Sequence, residues 1–240
     1  LAHCRERILG GLYAPEDESG DALAFTQKLA ALCLYAGVTF RYGLRIESLV
    51  TEVSHITAAR TVNEDDETEL IAGDAFLVAL GSHSAALVRP LCDALPIYPV
   101  KGYSVTLPLA ADADAPYVSI TDESRRIVCS RLGNRLRVAG TAELAGYDAS
   151  VSPARCKAIL RRAEQLFPQI KPAGEIEYWA GLRPATPSNV PVIGRGRLGN
   201  LYYNTGHGTL GWTLACGSGQ AIADIIDGKP SRIDFPFLNL

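Results

Sequence analysis

Three glycines, Gly206, Gly208 and Gly211, crowd the expected start of a helix that runs on to about Gly228. Glycine there removes side chains, so backbone N–H groups at a positive helix end can approach a ligand closely. That end suits a phosphate, or equally the anionic N1 and C2 oxygen region of a reduced flavin. A glycine-rich helix packed tightly on a sheet would have the same composition. The second constellation is Gly181-Leu182-Arg183-Pro184-Ala185-Thr186-Pro187, followed by Pro191-Val192-Ile193-Gly194. An arginine at a strand end with proline directly after it sits on a stiff backbone, and its planar fork suits a carboxylate, which makes Arg183 a candidate substrate anchor. A surface ion pair is the commoner fate of a single arginine.

Other chemistries find little support. Six cysteines, at 4, 33, 92, 129, 156 and 216, form no CxxC pair, and four histidines, at 3, 55, 83 and 207, show no HxxxH spacing. Reduced, mostly buried thiols are expected, and neither a zinc site nor a metal hydrolase is. The 240 residues are 48% apolar and 20% charged, with 23 basic and 26 acidic side chains and a net charge of -3. No block of one sign suggests a nucleic-acid partner, so an anionic substrate needs a local basic group. No apolar run reaches the roughly 18 to 20 residues that span a bilayer, and LAHCRERILGG lacks a signal peptide's apolar core. The expected location is cytoplasmic, or at most bound to a membrane surface. The chain opens on Leu1 and contains no Met, so it is expected to be a piece of a longer product.

The elements that must position these residues follow from periodicity. Asp21 can cap a helix over about 22–36, ended by Gly37. The runs VTFRY and RIESLV read as strands, then a strand pair broken by the acidic turn NEDDETE, then a buried strand over Phe76–Leu80. AFLVALGSHSAALV orders strand, glycine turn and helix as at the nucleotide edge of an α/β sheet, although generic α/β packing shares that order. From Tyr98 to Gly140 the pattern is antiparallel, in strands YPVKGYSVTLP, RRIVCSR and RLRVAGT, the last two joined at Gly133 and Asn134. Pro153 starts a helix through Phe167, Glu175–Leu182 is a strand, and LYYNT leads into the glycine turn and the last helix.

Over nearly its whole length the chain resembles the FAD-dependent D-amino acid oxidase superfamily, most closely the bacterial D-amino acid dehydrogenases. The strings in the family's order are GDALAFTQKLA, GVTFRYGLRIESL, GDAFLVALGSHSAALV, YPVKGYSVTLP, GTAELAGYD, YWAGLRPATPSNVPVIG and NTGHGTLGWTLACGSG. The resemblance implies an α/β plus antiparallel β fold: a partial, Rossmann-like FAD-binding domain interwoven with an antiparallel-sheet substrate domain. The expected segments are 1–15 and 93–185 for the substrate domain, and 16–92 and 186–240 for the FAD-binding domain. It implies FAD as cofactor and oxidative deamination of D-amino acids, D-alanine among them, to 2-oxo acids and ammonia. Electrons would pass to a quinone-type acceptor of the respiratory chain, and a homo-oligomer is compatible with the resemblance. A glycine or sarcosine oxidase type of enzyme, or a non-catalytic truncated domain, are the alternatives.

By the same resemblance Arg183 pairs with the substrate carboxylate, and Tyr103, on the strand entering the substrate domain, is carried over as a pocket residue. Gly208, Thr209, Leu210, Gly211, Trp212 and Thr213 match the loop and helix start facing the flavin ring. Ile46 matches the position whose backbone meets the adenine, and Ala79, Leu80 and Gly81 match the turn along the cofactor. A GxGxxG after a strand, with an acidic residue about 20 positions on, is expected to be absent, because the family keeps both near its N-terminus. Position 1 corresponds to a point well inside the family's chain, so the first βαβ unit is expected to be missing.

Overall fold

The computed structural model describes residues 8–230. Residues 1–7, with Cys4, and 231–240, which end the two outermost expected segments, lie outside the described residues. Contacts divide the chain into two units: 1–32 with 100–182, and 33–99 with 183–240. The chain changes unit inside a helix and inside two strands, so the segments are interwoven.

The first unit is a sheet, antiparallel in its β6-β7-β8-β5 pairings, under a helix. Its strands are β5 (Tyr98–Pro108), β6 (Ile120–Asp122), β7 (Ile127–Leu132), β8 (Arg135–Glu143) and β9 (Glu177–Ala185), in the order β6-β7-β8-β5-β9. Leu132 faces Arg135 across β7 and β8, leaving Gly133 (φ +62°) and Asn134 as a two-residue hairpin turn. Positive φ at that turn matches the right-handed twist of the strands, as the Gly-Asn pair predicts. Helix α3 (Pro153–Leu166) opens on Pro153, whose missing N–H costs nothing at a first helical position. Its buried residues Cys156, Ile159, Ala163 and Leu166 recur at helical spacing, and Tyr103, Val105, Leu107, Leu136 and Val138 share their core.

Helix α1 (Ala22–Tyr35) starts where Asp21 predicts: its Oδ1 accepts from the N–H groups of Leu23 and Ala24, each at 3.1 Å. Gly37, at φ +92°, closes its far end. None of its residues is buried, although Leu23, Phe25, Leu29, Leu32 and Leu34 are apolar.

In the second unit β1 (Arg45–Glu52), β2 (His55–Val62) and β3 (Thr68–Ala72) form an antiparallel sheet. The NEDDETE turn is organised by Asn63, whose Oδ1 accepts from the N–H groups of Asp65 and Glu67. The expected strand VTFRY does not form. Its Phe40 and Tyr42 rings stack on each other at 5.8 Å, and Arg41 ion-pairs with Glu69, so side chains rather than a ladder tie the segment down. A second sheet has the order β10-β11-β4, from β10 (Val192–Arg195), β11 (Leu201–Thr205) and β4 (Phe76–Val78). Strand β4 is shorter than expected, ending before Ala79. It runs parallel to β11, Phe76 facing Leu201 and Val78 facing Tyr203. After β4 come a 3-10 turn (Gly81–His83) and the short helix α2 (Ser84–Val88), and after β11 comes α4 (Gly211–Ile226). The expected α/β plus antiparallel β character is thus present. Among the described residues no helix is long and apolar enough to cross a membrane.

Candidate functional site

Ligands of open α/β sheets bind beyond the carboxyl ends of parallel strands. Two turns leave that end of the second unit: Ala79–Gly81 after β4 and Gly206–Leu210 after β11. A relay of hydroxyl groups joins them. The Leu80 N–H donates to Ser84 Oγ at 3.1 Å, Ser84 Oγ lies 2.9 Å from Thr205 Oγ1, and Thr205 Oγ1 donates to the Gly81 carbonyl at 3.1 Å. Ser84 and Thr205 are buried, so each spends its one proton inside the fold.

Pro184 sits between the same two turns. Its carbonyl accepts from the Gly208 N–H at 2.9 Å, and its ring lies 3.8 Å from where a Cβ on Gly81 would be. Proline is tolerated here because β9 ends the strand order of its sheet. The residue before it, Arg183, is therefore held beside both turns. Arg183 is half-buried, and burial lowers its guanidinium from the ordinary value, though an arginine stays cationic.

Gly206 and Gly208 have φ of +78° and +53°. A Cβ on Gly206 would lie 2.9 Å from Thr186 Cγ2, so that glycine is required by space as well as by backbone. Helix α4 then begins with Leu210 as N-cap and no side-chain hydrogen bond to cap it. The first-turn N–H groups of a helix have no intrahelical acceptor, and their positive end attracts negative charge. Leu80, Leu210 and Trp212 leave apolar surface exposed on these turns. An uncapped helix end, a cleared backbone and apolar side chains suit the anionic edge of a flat heteroaromatic ring better than a free phosphate.

The structure therefore brings Ala79, Leu80, Gly81, Arg183 and Gly208 to Thr213 together. Ile46 is on β1 of the other sheet, facing Thr61, with an exposed side chain. Tyr103 belongs to the first unit. It is 1% exposed, and its hydroxyl donates to Glu143 Oε2 at 2.6 Å. Burial, then the Glu143 carboxylate, pushes the phenol above its ordinary pKa, while Arg155 Nε binds the same Glu143 oxygen at 3.2 Å.

The expected absence of a GxGxxG needs correction. Gly206, Gly208 and Gly211 have that spacing, directly after β11 and at the start of α4, and Gly194, Gly196 and Gly199 repeat it from within β10 into the loop before β11. The Gly208 N–H is already spent on Pro184. The acidic residues about 20 positions on, Asp224 and Asp227, lie on α4 and at its C-cap, and among the described residues no strand follows. The ribose-binding half of the dinucleotide fingerprint is thus not assembled among the described residues. Sequence reasoning also missed Ser84 and Thr205, whose only local signal is a hydroxyl at the end of a strand and the start of a helix.

Residues 1–225 match the family model described as FAD dependent oxidoreductase. A D-amino acid dehydrogenase of Dechloromonas aromatica (strain RCB) is 52% identical over 238 residues, covering 99% of this chain and 57% of that protein. Another, of Paramagnetospirillum magneticum (strain AMB-1), is 49% identical over 240 residues, covering 100% of this chain and 56% of that protein. The chain thus spans little more than half the length of these relatives. Among solved structures, glycine oxidase from Geobacillus kaustophilus matches with a TM-score of 0.75 at 24% identity, over 89% of this chain and 56% of that one. Iminodiacetate oxidase from Chelativorans sp. BNC1 matches with a TM-score of 0.75 at 21% identity, over 88% and 56%. These two likenesses are of fold.

Proposed function

Because the chain belongs to the FAD-dependent oxidoreductase (DAO) family, we propose that it forms the flavin-ring side and the carboxylate anchor of a D-amino acid dehydrogenase. The reaction is oxidative deamination of a D-amino acid to a 2-oxo acid and ammonia, with a quinone-type acceptor of the respiratory chain taking the electrons. The enzyme then works on the cytoplasmic side, peripheral to the inner membrane. Segments 16–92 and 186–240 serve the cofactor, and 1–15 and 93–185 the substrate.

The observation that carries this reading is the Gly208–Pro184 hydrogen bond, which ties the residue after Arg183 to the turn that opens α4. FAD, when bound, supplies the acceptor for the hydride leaving the substrate Cα. Arg183 binds the substrate carboxylate through charge-assisted hydrogen bonds and so orients the amino acid. The first-turn N–H groups of α4 stabilise negative charge at the ring's pyrimidine edge, and the glycines let backbone reach it. Ala79–Gly81 lies along the cofactor, and Ile46 is its adenine contact. Positioning and charge stabilisation account for the rate without a protein base.

Arg183→Leu tests it. Losing a paired charge, worth roughly 3 kcal/mol, should raise KM for a D-amino acid on the order of 100-fold while the flavin spectrum stays that of wild type. An unchanged KM refutes the anchor. A panel of D- and L-amino acids with quinone or oxygen as acceptor distinguishes a dehydrogenase of D-amino acids from a glycine or sarcosine oxidase.

A further inference from the structure

The turn between β11 and α4 has a mechanical problem. Gly206 and Gly208 both sit at positive φ, so His207 lies between two joints that no side chain stiffens. Leu210 offers no side-chain cap to tie the turn to the helix it precedes. On one side the turn is held by the Gly208–Pro184 bond. On the helix side, the contact is made by His207, whose Nε2 lies 3.1 Å from Ser218 Oγ, on the third turn of α4.

The direction of that hydrogen bond can be worked out. Ser218 is 5% exposed, and its Oγ lies 2.9 Å from the Leu214 carbonyl and 3.1 Å from that of Ala215. A hydroxyl has one proton, and both carbonyls are acceptors only. The proton goes to a carbonyl, so Ser218 Oγ must accept from His207 and the imidazole carries its proton on Nε2. Burial also lowers the His207 pKa, which favours the neutral ring. His207 Cβ lies 3.6 Å from where a Cβ on Gly211 would be, an ordinary van der Waals distance, so the side chain leaves the turn beside the opening of α4.

We propose that His207 is a positioning residue: as an Nε2–H donor to Ser218 it clamps the Gly206–Leu210 turn onto α4 and so fixes the helix end that meets the flavin. The flavin part of this inference rests on the function proposed above. His207 acts through the backbone and is distinct in role from Arg183, which touches substrate.

The test compares His207→Gln, His207→Asn, His207→Ala and Ser218→Ala in the 240-residue chain. Glutamine can set an amide donor where Nε2 stands, and asparagine is too short to reach it. Amide hydrogen exchange at Gly208, Leu210 and Leu214 should quicken at least 10-fold in His207→Ala, His207→Asn and Ser218→Ala, and stay within 2-fold of wild type in His207→Gln. Imidazole ¹⁵N spectra should show the proton on Nε2 in wild type. Lumiflavin, which has the flavin ring but no pyrophosphate, should, titrated by its fluorescence, bind at least 10-fold more weakly to the three unclamped variants. Equal exchange in all four variants, or a proton on Nδ1, overturns the clamp. Faster exchange with unchanged lumiflavin affinity overturns its positioning role. Wild-type chain that leaves lumiflavin fluorescence untouched counts against the flavin reading, while exchange and ¹⁵N spectra still decide the clamp.

Discussion

Replacing Gly206 by alanine isolates what the turn before α4 demands. Two costs add. A non-glycine residue at left-handed φ costs about 1–2 kcal/mol, and Gly206 has φ +78°. The new Cβ would also lie 2.9 Å from Thr186 Cγ2 and 3.5 Å from the Val192 nitrogen. Thr186 cannot swing away cheaply: it is buried, β-branched, and its Oγ1 donates to the Val190 carbonyl at 2.9 Å. Overpacking of this kind adds about 1–3 kcal/mol. Gly208, at φ +53°, is the control, because its Cβ would meet nothing nearer than 3.9 Å. Gly206→Ala should therefore cost roughly 2–5 kcal/mol in urea unfolding and Gly208→Ala about 1–2 kcal/mol. Thr186→Ser deletes the clashing methyl and keeps the hydroxyl, so in the Gly206→Ala background it should restore about half of the loss. Equal costs for the two glycines, or no recovery with Thr186→Ser, would refute the reasoning.

Other perturbations probe the first unit and the thiols. Leu136, 1% exposed beneath α3, should lose about 2–5 kcal/mol on truncation to alanine, read as a fall in the urea midpoint with unchanged slope. Burial first, and then the Asp122 carboxylate, pushes the Cys129 thiol up to about 11. The folded state favours the neutral thiol, so this stability is present below the unfolded thiol's pKa and is lost as pH rises from about 9 towards 11. At pH about 8, iodoacetamide should alkylate the exposed Cys92 and Cys216 and spare Cys129 until urea is added, as peptide mass spectrometry would report. The Asp148 carboxyl is held down at about 2, chiefly by the Ser150 N–H, then by the Ser150 hydroxyl and the Lys101 ammonium. Its contribution is present above the ordinary carboxyl value of 3.8 and is lost as pH falls towards 2. Lys101→Met should raise the value seen by NMR titration only part of the way, since the Ser150 bonds remain; a return to 3.8 would contradict that order of causes.

Local chemistry was legible wherever a few neighbouring residues decide the outcome. The Asp21 cap, the Gly133-Asn134 hairpin turn and the Pro153 helix start all follow from periods and turn propensities within about 15 residues. The glycines of 206–211 and the proline-stiffened Arg183 could be singled out on the same grounds. VTFRY could not, because alternation alone does not say whether a partner strand will come alongside. Nor could α1, whose apolar residues remain unburied although their composition predicts a buried face.

Tertiary structure alone decided the site. Residues 79–81, 184 and 205–208 meet through single hydrogen bonds and van der Waals contacts between positions over 20 to 120 apart in the chain, which no window of sequence contains. It also decided that the Tyr103 hydroxyl turns to Glu143, and that His207 reaches Ser218. Side-chain type says what a group can bond to. Only the packed backbone says which partner stands within about 3 Å.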